Sequence, residues 1–368
     1  MMKHLKMTTT AIATVMALNS SAHAQMLTIL AGDTPDTIAN IEALVAAFGK
    51  KNPDVSFDVE FRPGGADGDN IVKSRLATGE MADVFTYNTG SLFQAIRPDR
   101  NLMPITQEDM LDRVADSFEA TVTSPDGEIF GVPFGAAMGG GIFYNRGIYN
   151  ELGLEVPRSW DEFMSNNAKI AEAGKVPVAQ TYGDTWTSQL FVLADYYNVQ
   201  AAEPDFAKRY TANQAKYAES EAAMRGFKYL QDVFEAGYLN EDFGAASFPD
   251  GMRMVATGEA AHYPMLTFAV GTVQQNNPEN INDIGFFAQP GASADTNGLT
   301  VWMPTAMYAS KDAAEPELAK EFLSFVASQE GCEVMMAATG ATGPYLIDGC
   351  SLPADVPVAI ADMLPYFQ

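Results

Sequence analysis

Hydrophobic positions along the first ninety residues switch between two spacings, and the switch predicts a strand, a helix and a second strand in succession. Leu27 to Leu30 reads as a short buried strand. Gly32-Asp33-Thr34-Pro35 follows, with Thr34 placed to cap a helix and Pro35 at its first position. Ile38, Ile41, Leu44, Val45 and Phe48 recur at helical spacing until Asn52-Pro53 stops the run. Val55, Phe57, Val59 and Phe61 then alternate with Ser56, Asp58 and Glu60, the period of a half-buried strand. This succession is a βαβ unit. Residues 71–78 predict another helix, the Asp67-Gly68-Asp69-Asn70 cluster before them reads as a polar turn, and residues 79–85 lead into a third strand.

The pattern continues in the second half. Ser159 and Glu162 form a capping box ahead of a helix that runs to about residue 173. Residues 220–236 predict a long helix with Met224, Phe227, Leu230, Val233 and Phe234 on its buried face. Leu318, Phe322, Phe325 and Val326 recur at helical spacing within residues 315–328. Between Pro133 and Tyr144, the run Gly139-Gly140-Gly141 reads as a hinge, because glycine tolerates the φ/ψ changes of a rotating segment. With no internal repeat and no long linker, the domain boundaries are expected at crossing strands.

Composition places the chain in a compartment. Lys3 and Lys6, an apolar run around residues 11–18 and Ala22-His23-Ala24 are the three parts of a secretory signal, with cleavage expected after Ala24. No cysteine near that site is available for a lipid, so a soluble, unanchored periplasmic protein is expected. The remaining length suggests two domains. The whole chain has a formal net charge of −25, and its leader contributes lysines and no acids, so the mature chain is more acidic still. That balance argues against nucleic acid and anionic membrane surfaces as partners. Cys332 and Cys350 both follow the leader into an oxidising compartment, and a structural disulfide is expected between them.

Several kinds of chemistry lose their support. Of the three histidines, His4 and His23 leave with the signal, so a Ser-His-Asp site or a histidine-rich zinc site would rest on His262 alone. No metal or cofactor is expected, and a structural or surface role is expected for His262. The triple glycine lacks the Lys-Ser/Thr that a phosphate loop requires. Acids are abundant, which leaves a paired-carboxylate hydrolase or lyase open, but nothing marks two of them as a pair.

The stretch Asp126-Gly127, Gly131-Val132-Pro133, Tyr144-Asn145, Leu152-Gly153, Pro157 and Ser159-Trp160-Asp161-Glu162-Phe163 resembles the extracellular solute-binding proteins of sugar ABC importers. So do Gly79 to Phe85, with Ala82 where proline is usual, residues 252–264, which resemble the family's return strand through Gly258-Glu259-Ala260-Ala261, Ile284-Gly285 with Pro290-Gly291, and the helix from Glu315 to Gly331. The resemblance implies an α/β fold of two lobes, each a mixed sheet flanked by helices, joined by crossing hinge strands. We assign residues 25–133 and 265–305 to the first lobe and residues 134–264 and 306–368 to the second. Family members usually continue well beyond the Glu330-Gly331 motif. The second lobe is therefore expected to end early, as a natural short form or as an incomplete chain.

The resemblance also implies a monomeric, non-enzymatic protein that captures a carbohydrate between its lobes and delivers it to a membrane permease. Open α/β sheets bind ligands at the carboxyl ends of their strands. Asp33 and Thr34 after the first strand and Tyr87 and Asn88 after the third are candidate contacts on this ground, and the resemblance adds Met138 in the crossing segment and Met265 after the return strand, where the family often carries an aromatic. Trp186 and Trp302 join them, because a sugar's C–H face stacks on an aromatic ring while its hydroxyls take hydrogen bonds. Trp160 is accounted for by the helix motif. The acidic charge also permits a polyamine or other small cation as ligand, which would need several carboxylates in one cleft.

Overall fold

The computed structural model describes residues 25–303 and 305–367; the expected leader, residues 1–24, lies outside the described residues. Strands β1 (Gln25–Gly32), β2 (Val55–Arg62), β3 (Val84–Tyr87) and β4 (Gly131–Phe134) come first. They are followed by β5 (Met138–Asn145), β6 (Val176–Val178), β7 (Ala260–Leu266), β8 (Ile284–Ala288), β9 (Thr300–Trp302) and β10 (Thr305–Ala309). Helices around them include α1 (Pro35–Lys51), α2 (Gly65–Thr78), α3 (Trp160–Glu172), α4 (Leu190–Ala194), α5 (Tyr196–Ala202) and α6 (Glu221–Glu235). Later in the chain come α7 (Phe248–Thr257), α8 (Val270–Asn276), α9 (Pro316–Val326), α10 (Gln329–Thr339) and α11 (Val358–Met363).

The α/β class expected from periodicity is found, as two sheets flanked by helices. The first sheet has the order β2-β1-β3-β10-β4, with β1 parallel to β2 and β3, and β10 antiparallel to β3 and β4. The second has the order β6-β7-β5-β8. β8 and β9 share one edge of β5, with Ala288 opposite Gly141 and Thr300 opposite Gly140. Residues 289–299 are therefore an excursion out of a single strand line.

Local sequence accounts for the early elements. Thr34 caps α1 by accepting from the Thr37 amide, Pro35 occupies the first turn, and Ile41, Leu44 and Phe48 are buried. β2 alternates between half-buried and exposed positions as an edge strand should. The acidic cluster at residues 67–70 is no turn: α2 begins at Gly65 and takes it into the helix. Residues 252–264 likewise divide into the end of α7 and most of β7. In α6 the buried face is Ala222, Ala223, Gly226, Tyr229 and Val233, while Phe227 and Phe234 are exposed. Small residues let α6 approach α4 closely; a Cβ at Gly226 would lie 2.8 Å from the Val192 Cα.

Pairing corrects the lobe assignment of two segments. β8 and β9 belong to the second sheet, where residues 265–305 were assigned to the first lobe. β10, α9 and α10 belong to the first sheet and first core, where residues 306–368 were assigned to the second lobe. Only α11 returns to the second core, through Ala359, Ile360 and Met363. An apolar helix face is equally satisfied by either core, so amphipathicity does not say which side of a crossing it packs on. A buried carboxylate makes the choice visible: Asp83 accepts from the Thr28 amide and hydroxyl at 2.9 and 2.7 Å, and from the Ala314 amide at 2.6 Å, binding the start of the chain to the turn before α9.

The glycine run in β5 also departs from expectation. Gly139, Gly140 and Gly141 are buried inside a strand and serve as seats for larger groups rather than as a pivot. A Cβ would lie 2.8 Å from the Met363 sulfur at Gly139, 2.0 Å from the Trp302 ring at Gly140 and 2.4 Å from the Phe287 carbonyl at Gly141. The conformationally special glycine is Gly135, between β4 and β5, with φ of 96°.

Cys332 and Cys350 are joined in a disulfide with Cα atoms 6.3 Å apart, as expected. It pins to α10 a segment that also runs along the first crossing, where the Ala137 amide donates to the Pro344 carbonyl at 2.7 Å. His262 is fully buried. Its Nδ1 donates to the Pro177 carbonyl at 2.9 Å, its Nε2 accepts from the Tyr149 hydroxyl at 2.7 Å, and burial holds its pKa down at about 3. Asp195, between α4 and α5, is 1 % exposed. One oxygen accepts from Asn198 Nδ2 at 2.7 Å and the other has no partner, so burial pushes its pKa up to about 7.

Two outcomes are expected. Cys332→Ser lowers unfolding free energy by about 3 kcal/mol, the chain-entropy value for a loop of this size, measured by denaturant titration under non-reducing conditions. Because the folded pKa of Asp195 is raised, its contribution is fully present below about pH 4 and lost as pH rises to about 7. The stability of Asp195→Asn relative to the parent should therefore grow with pH at up to roughly 1.4 kcal/mol per unit across that window, then level off. A difference independent of pH between 4 and 7 would show that Asp195 is ionised throughout.

Candidate ligand-binding cleft

Strand direction fixes where the two sheets meet. β1, β2 and β3 run parallel and end at Gly32, Arg62 and Tyr87, and β10 starts beside Tyr87 because Ala306 pairs with it. Phe134, at the end of β4, pairs with Thr305 on the same edge. In the second sheet β5 starts at Met138 opposite Trp302, the last residue of β9, and β7 ends at Leu266 opposite Gly140. The chain leaves one sheet and enters the other at residues 135–137, and β9 and β10 lie in different sheets, so the carboxyl ends of β1 to β3 and the edge carrying Met138, Leu266 and Trp302 face one another across a seam.

Asp33 and Thr34 stand exposed on the first-lobe side, after β1. The Thr34 hydroxyl is already engaged with Thr37, which makes it a cap first. Asn88 is exposed after β3. Tyr87, also a candidate contact, is 1 % exposed and its hydroxyl donates to Asp69. Burial, then the hydrogen bond to Asp69, raises the phenol well above its ordinary pKa. The Arg62 guanidinium lies 5.8 Å from the Tyr87 ring centre and donates to the Thr86 carbonyl at 3.1 Å. Burial pulls the Arg62 pKa below its usual value against the pull of Tyr87, Asp69 and Asp33. Burial alone would raise Asp69, but hydrogen bonds from Lys73 and Tyr87 hold it below the ordinary carboxylate range. This network, which periodicity did not reveal, supports the floor of the first-lobe side.

The second-lobe side is aromatic. Trp186 is 38 % exposed on a short turn at Thr185–Gln189. Its ring lies 5.5 Å from Phe248 and 6.3 Å from Phe268, and those two are 5.5 Å apart. Asp184 binds the turn to the start of α7 by accepting from the Phe248 amide at 2.6 Å. Trp302 is half-buried with one part of its ring on Gly140, beside Met138. Met265 is fully buried in the second core, one residue before Leu266 at the seam edge. Strand alternation turns Met265 inward, and the aromatic at this edge is Phe268, two residues past the end of β7. Its signal was available as an aromatic just beyond a predicted strand, but the strand's end had to be known to read it. A surface hollow of about 530 Å³ between Glu155 and Lys169 is lined by none of these residues.

No helix among the described residues is long and apolar enough to cross a membrane, and among them no group of three or more His, Cys, Asp or Glu side chains gathers as a metal site.

Residues 31–331 match the family described as bacterial extracellular solute-binding protein. The chain is 23% identical over 271 residues to the multiple sugar-binding protein of Streptococcus mutans, a match covering 72% of this chain and 61% of that protein. It is 23% identical over 311 residues to the melibiose/raffinose/stachyose-binding protein MelE of Bacillus subtilis, covering 80% and 68%. The chain thus spans about three fifths of the streptococcal relative's length. A solved structure of the solute-binding protein RafE with raffinose superposes with a TM-score of 0.77 at 22% identity, over 93% of this chain and 87% of that one. With the family match running from β1 into α10 and a two-lobed architecture shared with solved structures, the chain belongs to the bacterial extracellular solute-binding protein family.

Proposed function

We propose that this protein is the solute-capturing component of an ABC importer, that its ligand is a neutral mono- or oligosaccharide held between the two lobes, and that it hands this ligand to a membrane permease without bond chemistry. The observation that carries the reading is the chemistry of the two facing edges. One presents the polar groups of Asp33, Thr34 and Asn88, and the other the rings of Trp186, Phe268 and Trp302. A pyranose needs both: flat C–H surface against a ring, and hydroxyls toward carboxylate, amide and hydroxyl groups. Two named relatives bind sugars, which supports the same ligand class. A soluble periplasmic location and a monomeric state belong to the same proposal.

Ligand contacts to both edges favour the arrangement in which they face each other, and that differential affinity is what would couple capture to closure. Its test is a thermal-shift screen of residues 25–368 against mono-, di- and trisaccharides, polyols and polyamines, confirmed by calorimetry. A saturable rise in midpoint with one saccharide class and no hydrolysis product is the expected result. A rise with polyamines alone would overturn the ligand class, and hydrolysis would overturn the binding-only reading.

For the saccharide so found, Trp186→Ala and Trp302→Ala each weaken binding by about 1–3 kcal/mol in calorimetry, the value of a stacked, buried ring face. Trp302→Ala also lowers the melting temperature, because its ring covers Gly140; Trp186→Ala, on an exposed turn, lowers it less. Affinity unchanged in both variants removes the aromatic assignment.

A further inference from the structure

Among the described residues, one side-chain to side-chain hydrogen bond joins the two lobes directly: Gln275 Nε2 on α8 donates to Asp36 Oδ1 in the first turn of α1, at 3.0 Å. α8 packs in the second core through Val270 and Val273, whereas α1 packs in the first through Ile41 and Leu44. The hydrogen bond has a seat built for it. Gly271 lies against the same carboxylate, and a Cβ there would stand 3.0 Å from Asp36 Oδ2. The neighbouring Gln274 meets the first lobe separately, its Oε1 2.7 Å from where a Cβ on Gly340 would be, just past α10. α1 and α10 are bridged at this point by the Thr339 hydroxyl, 3.4 Å from Asn40 Oδ1. α8 therefore meets a notch between the start of α1 and the end of α10, with a glycine on each side of the joint where an added Cβ would crowd the Asp36 carboxylate or the Gln274 amide.

We infer that this joint is a latch that holds the two lobes in the arrangement seen here, with Gln275 as the bolt, the Asp36 carboxylate as the catch and Gly271 and Gly340 as the clearance that lets them meet. Burial raises the Asp36 carboxyl above its ordinary range and the Gln275 hydrogen bond opposes the rise, as docking against α8 requires. The inference deepens the capture reading, because a protein-made contact shares with the ligand the work of selecting one arrangement of the lobes.

The test does not depend on the ligand. Both native cysteines are paired, so Glu42→Cys on α1 and Lys228→Cys on α6, both exposed, take spin labels selectively. Their distance distribution is measured by pulsed EPR in the otherwise native chain, in Gln275→Leu, in Gly271→Ala and in Asp36→Asn. Gln275→Leu, which keeps bulk and loses the donor, and Gly271→Ala, which displaces the carboxylate, are expected to broaden the distribution and move its mean. Asp36→Asn keeps an acceptor oxygen and stays close to the parent. For the saccharide identified above, Gln275→Leu raises Kd by roughly three- to tenfold, the population cost of losing one hydrogen bond. Parent-like distributions in both Gln275→Leu and Gly271→Ala overturn the latch whatever the ligand screen returns. A shifted distribution with no saccharide binding keeps the latch and overturns the ligand instead.

Discussion

The carboxylate of Asp83 is the point on which the first lobe turns. Taking a charge out of water is costly unless donors surround it. Here the Thr28 amide and hydroxyl and the Ala314 and Glu315 amides do so. Those donors come from the first strand and from the segment that returns after both crossings, so satisfying one buried group brings together parts of the chain nearly three hundred residues apart. The return places β10 between β3 and β4, and β10 sets the edge on which the strand ends, and hence the cleft, are arranged.

The second lobe rests on close approach rather than charge. The bare backbone of Gly139 to Gly141 receives the Met363 side chain, the Trp302 ring and the Phe287 carbonyl at distances that any side chain on β5 would forbid. Trp302 thereby gets one supported side next to the seam, a rigidity that suits a stacking surface. The same seat draws α11 into the second core through Met363, so this late helix packs into a lobe that the first crossing opened.

Much of this was legible in residue order, and the misreadings have physical causes. The period of Ile41, Leu44 and Phe48 and the Thr34-Pro35 cap gave α1, and Ser159 with Glu162 gave the start of α3, because caps and periodicity are local. Which lobe claims β8, β9, β10 and α9 is a matter of pairing across more than a hundred residues, about which local pattern is silent. Phe227 and Phe234 were read as buried because they are apolar, whereas α6 turns its small residues inward to approach α4. At the cleft, residue order places candidates near strand ends but does not give their packing: Tyr87 is held under Arg62 by Asp69, and Met265 is buried in the second core while Phe268 lies beside Trp186. Side-chain direction at a strand end depends on where the strand stops, to the residue.

The strand order β2-β1-β3-β10-β4 has a consequence for how the molecule is made. β10, which sits between β3 and β4, is supplied by residues 305–309, so each of those strands keeps an unpaired edge long after it has been made. Contacts this distant in sequence form slowly, and an open edge invites pairing with other chains. Both strand edges are therefore open to mispairing until that late strand is made.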